Sequence, residues 1–141
     1  MKTCELLEQE TNPTINQLIE RFLEQFKVEL VKLRMETSLD PNNSESKLKR
    51  DAFVTNYLLH AYHQLEDISK LPEKRAEVEV RKLVREWRSS RKKHSYPGLF
   101  AQKRTRQRWH SGWVKNSGMC VAIDFIFKQL KGSGVITTAF K

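Results

Sequence analysis

Arg81, Arg85, Arg88 and Lys92 recur at i, i+4, i+7 and i+11. On a helix this spacing stacks four cations on one face, along about 16 Å, with neighbours about 5–6 Å apart. That interval is comparable to the phosphate repeat of a nucleic-acid strand. Like charges at i, i+4 repel, so the row is easier to understand if a polyanion relieves it. A second set, Arg104, Arg108 and Lys115, falls on one face of the next helical segment, with Lys103 beside it and Trp109 and Trp113 nearly opposite. Arg91, Lys92 and Lys93 sit at the hinge between the two sets. If the two helices pack antiparallel, both rows line one groove. Tyr96 and Phe100 flank the hinge, and loop aromatics that need not fill a core are the residues to stack on a base. Trp87, Trp109 and Trp113 offer further rings for stacking on bases, but they face the apolar side of their helices, which favours core packing; for Trp109 and Trp113 both readings stay open.

Other constellations carry less chemistry. His60, His63 and Asp67 share the polar side of one helix but have no evident fourth ligand, so no metal site is assigned. His94 and His110 lie inside the basic segment and add charge there only at lower pH. Phosphate-loop, dinucleotide, zincin and nucleophile-elbow motifs are missing. The basic segment holds one carboxylate, Glu86, where a metal-dependent nuclease needs several. The reading is therefore of a binding protein, not an enzyme, with no cofactor.

Charge distribution sharpens this. The 141 residues carry a net charge of +9. Residues 81–115 hold twelve basic side chains against one acidic, whereas residues 1–80 are net negative. A solubility device would be spread evenly; a localised excess is the footprint of a polyanion site. Cys4 and Cys120 lie far apart and suit a reducing compartment. The N-terminus has glutamates where a signal peptide needs an apolar run, and the longest apolar stretch, 119–127, is too short to span a bilayer. A cytoplasmic protein with no membrane association is expected.

The elements that must position these side chains are helical. Ile15, Leu18, Ile19, Phe22, Phe26, Leu30 and Leu33 form one stripe after Pro13, ending near Thr37. A turn at 40–44 leads to a second helix, Ser44 to Lys70, whose wide apolar arc suits a central position. A third runs from Pro72 to about Arg91 on the stripe Ala76, Val80, Leu83, Val84 and Trp87. A fourth covers Leu99 to Asn116, with Ser117-Gly118 as its break. A fifth, mostly apolar segment runs from Met119 to Lys131, and Gly132-Ser133-Gly134 frees a tail. The chain reads as all-α, a compact bundle of four to five helices over 1–131 with a C-terminal tail, 132–141. Val28, Val31 and Met35 lie opposite the main stripe of the first helix, where a monomer leaves them wet, and mark a contact with another subunit.

This plan resembles the helical small subunits of CRISPR surveillance (Cascade-type) complexes. The resemblance rests on length, helical content and the two rows Arg81/Arg85/Arg88/Lys92 and Arg104/Arg108/Lys115. It implies a non-catalytic subunit that contacts guide RNA or target DNA inside a larger ribonucleoprotein. Two other readings compete. One is a sequence-specific helix-turn-helix protein turning at Gly98 or Gly118, with Gln102, Thr105 and Gln107 as base readers. The other is an adaptor whose basic row docks an acidic protein.

Overall fold

The computed structural model describes residues 13–39 and 44–136. Among them the chain forms five helices and no strand: α1 (Ile15–Leu39), α2 (Glu45–Ser69), α3 (Glu73–Lys93), α4 (Lys103–Ser111) and α5 (Trp113–Ser133). The fold is all-α, a compact helical bundle.

Local chemistry sets the helix starts. Thr14 and Gln17 close a reciprocal capping box before α1: Gln17 N–H donates to Thr14 Oγ1 at 3.2 Å, and Thr14 N–H donates to Gln17 Oε1 at 3.0 Å. Ser44 caps α2 by accepting from Lys47 N–H at 3.2 Å. Pro72 directly precedes α3, where its fixed φ and missing N–H cost nothing. Asn16 donates to the carbonyls of Ser69 (3.0 Å) and Leu71 (2.7 Å), tying the start of α1 to the α2–α3 turn.

The expected stripes form the core. Ile19, Phe22 and Phe26 of α1, Leu58 and Leu65 of α2, Val80 and Val84 of α3, and Ile123, Ile126 and Leu130 of α5 are fully or almost fully buried together. Helix α5 touches each of the other four helices and is the hub of the bundle.

Two expectations fail. Gly118 is not a break. It lies inside α5, where a Cβ would come within 2.7 Å of the Phe53 ring, so its bare backbone lets α2 approach. The break falls at Gly112, which ends α4 and begins α5. Nor is the chain free after Lys131. Gly132 and Ser133 are helical, Gly134 turns the chain at φ 86°, and Val135 and Ile136 are buried on the core. The Ile136 N–H donates to the Leu130 carbonyl at 3.2 Å. Cys4, the turn at 40–43 and tail residues 137–141 lie outside the described residues. Among those described, no helix is long and apolar enough to cross a membrane.

Candidate nucleic-acid interface

Helix α3 buries Ala76, Val80, Leu83, Val84 and Trp87 and so turns its basic row outward. Arg81, Arg85 and Lys92 are exposed and Arg88 is half-buried. Arg81 is held by Glu77 one turn away, at 2.7 Å. Among the described residues, Arg85, Lys92, Lys93, Lys103, Arg104, Arg108 and Lys115 have no carboxylate within 4.0 Å. No described acid answers their charge.

Arg91 differs from its neighbours. Its Nε and Nη2 donate to the two carboxylate oxygens of Asp124 at 2.9 and 3.2 Å, and its Nη1 reaches Ser95 Oγ at 2.7 Å and Cys120 Sγ at 3.1 Å. The Asp124 contact, ahead of the opposing effect of burial, pushes the guanidinium further into its charged form. Arg91 thus clamps α3 to α5 and does not project with Lys92 and Lys93. Cys120 also donates to the His94 carbonyl at 3.3 Å; burial pushes its thiol up, against the opposing pull of Arg91.

The groove expected between the third and fourth helices does not form. Helices α3 and α4 make no contact along their lengths; α4 packs on α5 alone. What ties α4 to the end of α3 is Trp109, whose indole N–H donates to the His94 carbonyl at 2.9 Å. Tyr96 meets the Trp109 ring edge-on at 5.1 Å, and His110 stands against both rings. Trp109 and Trp113 are half-buried and outside the main core, unlike Trp87. The Arg50 guanidinium covers Trp113 at 5.2 Å. The tryptophans are brackets, not core. Because Gly112 separates the helices, Lys115 belongs to α5 and leaves the row of Arg104 and Arg108.

Helix α4 is electrostatically unfavourable by itself. It has nine residues, buries none, and places Lys103 and Arg104 in its first turn with no acid there. Cations at a helix N-terminus oppose the macrodipole, and so short a helix is marginal alone. Arg91, Lys92 and Lys93 lie in the last turn of α3, where the dipole favours them.

Two cations escaped sequence reasoning. Lys128 and Lys131 of α5 line a shallow pocket of about 640 Å³ with Arg88, Asp124, Phe127 and Ile136. Only the packing of α5 beside α3 brings them to the row, and no local spacing announces that. Among the described residues, no three His, Cys, Asp or Glu converge as metal ligands. His63 instead meets Glu66 at 3.7 Å, and His94 Nδ1 lies 2.8 Å from the Ser90 carbonyl.

Val28, Val31 and Met35 are more than half exposed, as their spacing predicts. Val31 and Met35 face Leu48 and Ala52 across a groove between α1 and α2. No protein-family model, no curated protein and no solved structure matches this chain.

Proposed function

We propose that this protein is a non-enzymatic, cytoplasmic nucleic-acid-binding subunit that holds an RNA or DNA strand by its phosphates. It would do so within a larger ribonucleoprotein assembly, of the kind to which the CRISPR small subunits belong. One observation carries the reading: a cluster of exposed cations without carboxylate partners among the described residues, running from α3 through the hinge into α4. Its α4 portion sits where the helix dipole opposes it. A protein selected only for solubility would intersperse acids or place the cations at helix C-termini. A phosphate backbone supplies the missing counter-charge, and release of its condensed counterions drives binding. Arg85 and Lys92 carry the contact, with half-buried Arg88 beside them, Arg81 weakened by Glu77, and Lys93, Lys103, Arg104 and Arg108 extending it. Lys128 and Lys131 widen it toward α5. Arg91 is a positioning residue that fixes the end of α3. Val28, Val31 and Met35, with Leu48, form the apolar face offered to a neighbouring subunit.

The test is whether the purified protein carries nucleic acid, judged from its ultraviolet absorbance ratio, and which nuclease removes it. Bound nucleic acid displaced by rising salt supports the reading. A clean protein with no retention of any oligonucleotide at low salt favours the acidic-protein adaptor.

A further inference from the structure

The hinge between α3 and α4 ends in a bare apolar tip. Leu99 is 78% exposed and Phe100 is fully exposed, although both are large and apolar. Single exposed apolar residues are ordinary, but two adjacent ones at a loop tip lose hydrophobic stabilisation that a folded chain normally captures.

The roots of this loop are fixed. Ser95 Oγ donates to the Arg91 carbonyl at 2.9 Å and receives the Arg91 guanidinium at 2.7 Å. Tyr96 is pinned edge-on to Trp109, and Trp109 to the His94 carbonyl. Gly98 then adopts φ 97°, a conformation that side-chain-bearing residues rarely take, and its carbonyl accepts the Ala101 N–H at 3.3 Å. Anchored roots and a left-handed turn hold Leu99 and Phe100 away from the bundle. Exposed cations flank the tip on both sides: Lys92 and Lys93 before it, Lys103 and Arg104 after it.

We infer that Phe100, with Leu99 beside it, is a stacking platform for an unpaired base of the strand whose phosphates the flanking cations hold. This rests on the phosphate-binding reading above and adds to it the ligand class, a single-stranded segment. Every base has a π-face, so one free aromatic ring beside a track of cations binds a single strand without reading its sequence. Tyr96, the other aromatic of the hinge, is spent on the Trp109 bracket. A lipid surface is the other chemistry for an apolar tip ringed by cations. It is disfavoured because Ala76, Val80, Leu83, Val84 and Trp87 of α3 are buried in the bundle, and the exposed apolar residue of that helix, Val78, lies near its start, about 22 Å from the hinge, leaving little but Leu99 and Phe100 to insert. The row also recedes from the tip by about 16 Å along α3, further than a screened headgroup charge reaches.

The experiment measures a fluorescent 20-mer oligothymidine by anisotropy against the parent, Phe100→Ala and Phe100→Tyr, each checked for helicity. A 5-iodouracil version is photo-crosslinked and the adduct mapped. Phe100→Ala is expected to weaken binding by about tenfold or more, with Phe100→Tyr close to the parent and the salt slope unchanged. The crosslink is expected at Phe100. Parent-like affinity of Phe100→Ala, or a crosslink elsewhere, overturns the stacking role while leaving phosphate binding intact. Failure of the parent itself to bind at low salt overturns both. Normal oligonucleotide binding by Phe100→Ala, with loss of its sedimentation on phosphatidylserine vesicles, makes the tip a membrane wedge and also overturns the inference.

Discussion

Replacing Lys103 and Arg104 together by Glu separates a binding surface from a merely solvated one, because stability and binding are expected to move in opposite directions. Both residues occupy the first turn of α4, which contains no acid. A charge near a helix end is worth about 0.3–1 kcal/mol, and reversing its sign counts twice. Arg104 also stacks one turn from Arg108, and Glu in its place turns an i, i+4 repulsion into an attraction of about 0.2–0.5 kcal/mol. These positions are exposed and screened, so a gain of about 1–2 kcal/mol local to α4 is expected. Because α4 packs on α5 alone, it opens by itself more readily than the core. The gain should therefore show as amide exchange across residues 103–111 slowed by about five- to thirtyfold. Binding should weaken at the same time. With two fewer phosphates neutralised on a single strand, the slope of log K against log salt should shrink by about 1.4. Hydrogen exchange read by mass spectrometry, together with anisotropy, gives both numbers from one preparation. Slower exchange with unchanged affinity would show that α4 is not part of the interface. Faster exchange would show that the dipole does not govern the stability of α4.

Further outcomes follow from the same structure. Gly118→Ala should destabilise the fold by about 1 kcal/mol despite the better helix former, since the new Cβ meets the Phe53 ring at 2.7 Å; a higher melting temperature would show that α2 has room to move. Cys120 has a thiol pushed up by burial, so the unfolded chain loses that proton first, at lower pH than the folded one. Its contribution to stability is present below the ordinary thiol pKa and declines as pH rises above it, and alkylation should lag behind a free thiol at neutral pH and catch up only in alkali. Equal labelling rates at pH 7 for the protein and an unstructured cysteine peptide would contradict this. Val31→Glu with Met35→Glu should leave circular dichroism unchanged and abolish co-purification with partner subunits, because both side chains are more than half exposed. Loss of helicity would place them in the core.

The first three helices are legible because their apolar residues keep one face for about three to five turns and their starts carry Thr14, Ser44 and Pro72. The exposed Val28, Val31 and Met35 follow from the same wheel. The second half resists reading for physical reasons. Glycine is ambiguous without its surroundings: Gly112 parts two helices, while Gly118 stays helical and admits a neighbouring ring. Ser111-Gly112 and Ser117-Gly118 are the same dipeptide, and nothing local says which of them parts two helices, so 103–116 reads as one helix with one basic face, and Lys115 is grouped with residues of another helix. Arg91 looks like any other cation of its segment until Asp124, 33 residues later, is folded against it. Val135 and Ile136 follow a Gly-Ser-Gly sequence that reads as a linker, yet its first two residues continue α5 and its third turns the chain back onto the core.

The most direct test of phosphate binding compares the parent with Arg81→Glu/Arg85→Glu/Arg88→Glu and with a control bearing Lys27→Glu, Lys32→Glu and Lys49→Glu on α1 and α2. Affinity for an oligonucleotide is measured across a salt series after circular dichroism has shown all three folded. Neutralising four to six phosphates predicts a slope of roughly −3 to −5 for the parent and nearly the same for the control, with binding abolished in the α3 variant. A flat salt response in the parent, or an α3 variant that binds as tightly as the control, would show that the row on α3 is solvated surface and would contradict the account.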